Sequence, residues 1–188
     1  MYRDTRSAFD AITGAHMLSS EYRPPAMFVR TSSESIEQGV GALHAYALMT
    51  GQGFTDAPTG INPYHKALVL LTAARVESPE ERTDILWPVL PYLVDSEEVN
   101  QRHQIWLFET VYGEQVPPDQ HEAFCTHREC NILRSIMMTL ALAGKPAEHL
   151  RDLLYRSVQT YWAYEGREHQ HDFTSDQISR YRAALSRG

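Results

Sequence analysis

Apolar side chains recur along this chain at intervals of three and four residues, the spacing that places them on one face of an α-helix. One such row is Ile36, Val40, Leu43 and Ala47. Segments with the strict apolar and polar alternation of a half-buried strand are almost absent. The predicted helices span residues 5–18, 32–50, 63–77, 79–93, 96–112, 119–143, 146–163 and 175–186.

Seven segments carry residues that favour the start of a helix. In five of them a Thr, Ser or Asp is followed three residues later by Glu or Gln, so the two side chains can bond free backbone N–H groups at the helix start. These five segments begin at Thr31, Ser78, Asp95, Asp119 and Thr174. The other two, Asn62-Pro63 and Lys145-Pro146, place proline at the first helical position, where its missing N–H costs nothing. The chain is therefore predicted to be helical throughout.

The lengths of the links between these helices predict the fold class. Most links are short, so successive helices are expected to pack against each other as antiparallel hairpins. Two prolines, Pro88 and Pro91, remove backbone hydrogen bonds inside the predicted helix 79–93 and predict a kink or a break there. The longest evident loop is 51–62. The expected fold is an all-α irregular bundle of about seven or eight helices.

Length and composition predict one domain and a reducing compartment. The 188 residues are taken as a single all-helical domain, with a weak helix and an extended link over 1–30 and a polar linker and final helix over 165–188. The two cysteines, Cys125 and Cys130, are five apart on one predicted helix, so they do not face each other. Few cysteines and no signal peptide predict a cytoplasmic protein. No apolar run reaches the ~18 residues of a membrane span.

Charge is distributed unevenly along the chain. Residues 77–122 hold eleven acids but only the bases Arg82 and Arg102, a net charge of −9. One explanation is that three helix N-termini lie in this stretch, and carboxylates complement the helix dipole. The other is an acidic face that attracts a basic protein and repels nucleic acid. The acids assigned to this face are Glu80, Glu81, Asp84, Glu97, Glu98 and Glu114.

Two segments are rich in metal-binding side chains, but neither predicts a metal site. His121, Cys125 and Glu129 are four apart in series and so share one side of the predicted helix 119–143. The paired ligands of a structural zinc site, such as C-x2-C, do not occur. The second segment carries its donors in a polar linker, at His169, His171 and Asp172. No metal and no cofactor is predicted, and these two sets are the candidates if a metal binds.

Two carboxylates are candidates for catalysis because of where they fall on the predicted helix 119–143. Its apolar stripe is assigned to Leu133, Ile136 and Leu140, and the same spacing continued backwards passes through Glu129 and Glu122. A buried carboxylate without a partner is costly, so both glutamates need a partner or a role. Glu122 also has a simple explanation, since it completes the helix-start motif with Asp119.

The third catalytic candidate is His103, on the apolar stripe of helix 96–112. A lone histidine on such a face is usually a core residue with its hydrogen bonds satisfied. If helices 96–112 and 119–143 form a hairpin, however, His103 could meet Glu129 and act as a general base held by a carboxylate. On the same helix Trp106 and Phe108 are expected in the core.

The remaining function classes are narrowed by the absence of motifs. The chain has no phosphate-binding loop, no dinucleotide fingerprint, no H-E-x-x-H and no G-x-S-x-G. The expected function is protein binding, most concretely by a small inhibitor, immunity protein or adaptor of bacterial type that presents an acidic face to a basic partner. One alternative is a helical-bundle enzyme built on His103, Glu122 and Glu129. Another is a nucleoprotein subunit that uses the arginines of 151–187.

Overall fold

A computed structural model describes residues 24–30, 34–112, 119 and 129–188, with backbone alone for 129–133. The predicted helix 5–18 lies outside these residues. So do the predicted helix start at Thr31 and most of the first third of the predicted helix 119–143. The outcomes below concern the described part of the chain.

Seven α-helices are present in the described ranges, together with two short 3-10 helices. The α-helices are α1 Ala42–Met49, α2 Pro63–Arg75, α3 Pro79–Leu86, α4 Gln101–Tyr112, α5 Glu129–Leu142, α6 Ala147–Glu165 and α7 Ser175–Leu185. The 3-10 helices are Ile36–Gln38 and Trp87–Leu93. Extended pairing in these ranges amounts to one isolated bridge between Phe28 and Val40. The predicted all-α class is confirmed.

Three of the predicted helix starts are confirmed by their hydrogen bonds. The Thr174 hydroxyl accepts from the Gln177 N–H, and the Gln177 side chain accepts from the Thr174 N–H, which completes a capping box. The Ser78 hydroxyl accepts from a backbone N–H at the start of α3. The Asn62 side chain does the same for α2, at 2.9 Å from the Tyr64 nitrogen. These local side-chain chemistries determine where three helices begin.

The predicted break within 79–93 is also confirmed. The α-helix stops at Leu86, and the chain continues as the 3-10 helix Trp87–Leu93, which contains Pro88 and Pro91. A proline lacks the N–H of the α-helical hydrogen bond and clashes with the preceding turn. The prolines therefore end the α-helix at Leu86, while Leu90 and Leu93 of the following 3-10 helix still lie in the core.

The predicted helix start at Asp95 is wrong, and α4 begins six residues later, at Gln101. Asp95 adopts a left-handed conformation, with φ 58°. The next residue, Ser96, is fully buried and donates its hydroxyl to the Leu93 carbonyl, while the same oxygen accepts from the Asn62 N–H at 3.2 Å. A contact with the start of α2 therefore replaces the expected cap. At Pro146 the difference is smaller, since Pro146 directly precedes α6.

The predicted helix 32–50 is α-helical only over Ala42–Met49. Before it, the Val29 N–H donates to the Val40 carbonyl at 3.1 Å, which keeps the backbone at Val40 extended. Gly39 has φ 119°, and a Cβ there would collide with the side chain of Val29. Glycine is required at this position by a close approach of two extended segments.

The core is organised around α2. This helix packs against α5 and α6, while α1 packs against α7 and α4 packs against α6. Leu68 and Val69 of α2 are completely buried. In α4, Phe108 is buried as expected and Trp106 is half-buried against the core. The helices therefore meet at a junction of α2, α4 and α6.

The apolar stripe predicted for α5 is wrong. Ile136 is 52% exposed and Leu140 is 70% exposed, whereas Met138 is buried. Two polar contacts accompany this rotation of the helix: the Arg134 guanidinium donates to the Gln104 side chain, and the Ser135 hydroxyl donates to the Pro63 carbonyl at 2.8 Å. Because the helix is apolar nearly all round, periodicity could not identify its inner face. The prediction that Glu129 and Glu122 point to the core was made from this stripe, so the structure no longer supports it.

We expect Met138→Ala to lower the free energy of unfolding by about 2–5 kcal/mol, because the side chain of Met138 is buried where α5 faces α2 and α4. The matched substitution Leu140→Ala should change it by less than about 0.5 kcal/mol, because most of that side chain is already in water. Urea unfolding of the two variants measures both values. A cost at Leu140 equal to that at Met138 would contradict the observed orientation of α5.

Candidate functional site

Two histidines meet at the junction of α2, α4 and α6. The rings of His65 and His103 lie 5.4 Å apart between centroids, edge to face, and each lies 5.5 Å from the ring of Tyr161. The Ser157 hydroxyl oxygen is 3.3 Å from Nε2 of His103. Both histidines and Ser157 are completely buried. We call His65, His103, Ser157 and Tyr161 the histidine cluster.

Burial keeps both imidazoles of the histidine cluster neutral. It lowers the pKa of His65 to about 3, against a smaller opposing effect of the Ser157 carbonyl. It also lowers the pKa of His103 to about 2, and the neighbouring His65 adds to that shift. Removing a cation from water is expensive unless a partner carries the opposite charge. Both rings are therefore neutral at pH 7.

The contact between Ser157 and His103 resembles a hydroxyl nucleophile beside its base. Both side chains are fully buried, so a substrate has no direct access to them. The side chains of the other predicted catalytic residues, Glu122 and Glu129, lie outside the described residues. The structure thus places His103 in the core and leaves the catalytic hypothesis built on it untested.

His169 and His171 form part of an aromatic cluster on the surface. The ring of His169 stacks on Tyr92 at 4.5 Å and lies 4.1 Å from the ring of His171. Nδ1 of His171 is 3.1 Å from the Tyr92 hydroxyl. Trp162 completes the cluster and donates its indole N–H to the Tyr92 carbonyl. These contacts hold the linker between α6 and α7 against the 3-10 helix Trp87–Leu93.

Of the candidate metal ligands that the structure describes, His169 and His171 are in contact, but a third ligand does not join them. Within the described residues, no three His, Cys, Asp or Glu side chains converge as a metal site would require. Asp172 lies near Tyr92 and contributes to the raised pKa of that hydroxyl, after the larger effect of burial. The other candidate set, His121, Cys125 and Glu129, falls outside the described side chains.

The acidic residues of the predicted binding face are at the surface. Glu80, Glu81, Asp84, Glu97 and Glu98 are all exposed, and Glu114 lies outside the described residues. Glu80 accepts a hydrogen bond from the Ser78 hydroxyl, and hydrogen bonds lower the pKa of its carboxyl group. These five side chains are therefore accessible to a partner.

Arg82, one of the two bases in the acidic stretch, is 2% exposed. Its guanidinium donates to the backbone carbonyls of Ala73 at 3.0 Å, Val76 at 2.6 Å, Glu77 at 3.0 Å and Phe28 at 2.6 Å. These carbonyls belong to the last turn of α2, the residues that follow it and the segment 24–30. The sequence pattern gave no sign that this arginine is part of the core.

The burial of Arg82 leaves residues 77–112 more acidic at the surface than their sequence suggests. All eight acids of this stretch are exposed, while Arg102 is its one exposed base. The acids are Glu77, Glu80, Glu81, Asp84, Asp95, Glu97, Glu98 and Glu109. Two bases outside the stretch, Arg151 and Arg167, lie near it. Asp84 and Arg151 both affect the pKa of Tyr155. Glu98 and Arg167 both affect the pKa of Tyr161. We call residues 77–112 the acidic segment.

Two hollows between the described residues hold no catalytic arrangement. The first, of about 10 Å³, lies between Tyr64, Arg134 and Met138 and has room for about one water molecule. The second is an open groove of about 390 Å³ between Ile36 and Phe54 on one side and α7 on the other. Neither adjoins the acidic segment's exposed carboxylates, so neither changes the choice of site.

Sequence reasoning missed two residues that matter in the site, His65 and Arg82. His65 lies three and four residues before the buried Leu68 and Val69, a spacing that could have placed it on the inner face of α2. For Arg82 the pattern of side chains gives no signal, because its acceptors are backbone carbonyls, three of them five to nine residues earlier and the fourth at Phe28.

Among the described helices, none combines the length and the apolar character needed to cross a bilayer. No family model, curated protein or solved structure matches this chain.

Proposed function

We propose that this protein binds a basic protein partner through its acidic segment, residues 77–112. The observation that carries the proposal is that eight carboxylates of this segment are exposed while one of its two bases, Arg82, is buried on backbone carbonyls. The most concrete version is a small inhibitor, immunity protein or adaptor.

The physical role of these charges is to guide association. A surface with one sign of charge attracts an oppositely charged partner over roughly 10 Å at 0.1 M salt, and this steering raises the association rate constant. The exposed carboxylates of Glu80 and Glu81 follow directly on the start of α3, and those of Glu97 and Glu98 lie in the loop before α4. Within the described residues, none of these four forms an ion pair.

The test is a charge reversal after the partner has been identified. Cross-linking in the native cell, followed by affinity purification and mass spectrometry, identifies candidate partners. Stopped-flow association is then measured for the wild type and for Glu80→Lys/Glu81→Lys/Glu97→Lys/Glu98→Lys. We expect the association rate constant to fall at least about tenfold in the variant and to fall with rising salt in the wild type.

A second variant distinguishes the effect of a specific binding face from the effect of net charge on the association rate. Four exposed acids outside the acidic segment, Glu34, Glu37, Glu148 and Glu168, change to lysine and give the same change of eight charges. We expect this control to retain most of the wild-type association rate. A partner whose association ignores salt and both sets of reversals, or responds equally to both sets, would contradict the proposal.

A further inference from the structure

The histidine cluster combines two features that rarely occur together in a stable core. Two titratable rings from different helices are in contact, and both are completely buried. Within the described residues, both ring nitrogens of His65 and Nδ1 of His103 lack a well-formed hydrogen bond, although the Ser157 carbonyl lies close enough to His65 to act on its pKa. A neutral imidazole tolerates such surroundings far better than a charged one, because a buried cation without a counterion is very costly.

Among the described residues, the groups that face the pair are uncharged or positive. From α6 come Tyr161, whose hydroxyl donates to the Glu98 carbonyl, and Ser157. From α5 the cation Arg134 reaches Gln104, the residue next to His103. Within the described residues, no carboxylate is among the groups that act on either ring.

Charged groups are present farther out, beyond Tyr161. There, the Arg167 guanidinium forms an ion pair with Glu165 at 3.2 Å and also approaches the Tyr161 hydroxyl at 3.4 Å. Glu165 is therefore already paired with a cation on the far side of the Tyr161 ring. A proton added to His103 would therefore meet the neighbouring ring of His65, which disfavours positive charge, and no carboxylate among the described residues that acts on it.

We propose that His65 and His103 form an acid-sensitive latch, which holds α2, α4 and α6 together only while both rings are neutral. The latch lies at the junction where these three helices meet. Protonation of either ring therefore separates core helices and exposes the apolar surface between them. His103 belongs by sequence to the acidic segment, but both rings are buried and take no part in the proposed binding face.

The sign of the effect follows from proton uptake. In the unfolded chain the two histidines have their ordinary pKa near 6.5, while burial lowers both pKa values in the folded protein. At pH values between the folded and the unfolded pKa, unfolding takes up protons, so acid favours the unfolded state. The contribution to stability is complete above pH 6.5 and is lost as pH falls. From pH 7.5 to 5.5 each histidine should raise the unfolding equilibrium constant about tenfold, and the pair about a hundredfold.

The experiment measures urea unfolding at pH 7.5 and 5.5 for the wild type, His65→Gln, His103→Gln and the double variant. Glutamine is neutral at both pH values. The change in the unfolding constant between the two pH values should be about tenfold smaller in each single variant and about a hundredfold smaller in the double variant. Single variants that fold but keep the full wild-type pH dependence would overturn the proposal.

Two control variants separate titration from packing. Ser157→Ala removes the hydroxyl beside His103 but no titratable group, so it should lower stability equally at both pH values. His149→Gln removes an exposed histidine and should leave the pH dependence unchanged. A loss of pH dependence in Ser157→Ala would show that the effect comes from packing and would overturn the latch.

If the glutamine variants do not fold, a measurement on the wild-type protein alone still tests the proposal. The imidazole resonances of His65 and His103, followed by nuclear magnetic resonance from pH 7.5 to 5.5, should not titrate while the protein remains folded. Titration of both buried rings near pH 6.5 in the folded protein would overturn the proposal.

Discussion

Arg82→Met is expected to lower the free energy of unfolding by about 4 kcal/mol or more. Methionine fills a similar volume without charge or donors. The guanidinium of Arg82 makes five hydrogen bonds to four backbone carbonyls. Hydrogen bonds from a charged donor are each worth roughly 1.5–3 kcal/mol, although they do not add fully.

The cost is high because the carbonyls cannot find other partners. Ala73 and Val76 lie at the C-terminal end of α2, where helix carbonyls have no partner within the helix and where the helix dipole favours a cation. The Phe28 carbonyl belongs to a residue whose side chain is completely buried. Removing Arg82 leaves these acceptors buried and unpaired, which is more costly than the loss of the bonds themselves.

The measurement is chemical unfolding at pH 7, with two comparison variants. Arg102→Met removes the exposed arginine of the acidic segment and should change stability by less than about 0.5 kcal/mol. Arg82→Lys keeps the charge but offers a single nitrogen in place of the planar fork, so it should fall between the wild type and Arg82→Met. Equal stability of Arg82→Met and Arg102→Met would contradict the role given to Arg82.

The sequence predicted those parts of the fold that depend on neighbouring residues. The starts of α2, α3 and α7 and the break after Leu86 follow from side chains within three residues or from prolines, and all were correct. The start at Asp95 was wrong because the hydroxyl of Ser96 bonds to the distant Asn62 instead of capping a helix. The start of α1 was wrong because a hydrogen bond from the Val29 N–H to the Val40 carbonyl keeps the chain extended just before the helix.

The candidate site was harder to predict for the same physical reason. Burial of His103 followed from its place on an apolar stripe, but its contact with His65 requires the packing of α2 against α4 and α6. Five of the six acids assigned to the acidic face are exposed, as charged side chains usually are. Arg82 was counted as a surface base, because only the folded chain shows the carbonyls that surround it.

Phe28→Ala is expected to cost about 3–5 kcal/mol, even though Phe28 lies in an extended segment between the predicted helices. Its side chain is completely buried and its ring lies 6.2 Å from that of Trp87. A single aromatic residue that follows Pro24 and Pro25 has no periodicity, so the sequence gave no reason to place it in the core. The neighbouring Met27 is 53% exposed, and Met27→Ala should change stability by less than about 0.5 kcal/mol. Chemical unfolding of both variants measures the difference.

The segment around Phe28 is also held by its backbone, which links this prediction to the first. The Phe28 N–H donates to the Thr83 hydroxyl at 2.8 Å, and its carbonyl accepts from Arg82 at 2.6 Å. If Phe28→Ala releases the segment, Arg82 loses one of its acceptors at the same time. The double variant Phe28→Ala/Arg82→Met should therefore cost less than the sum of the single variants, by more than about 0.5 kcal/mol. Additive costs would show that the ring of Phe28 and the guanidinium of Arg82 stabilise the core independently.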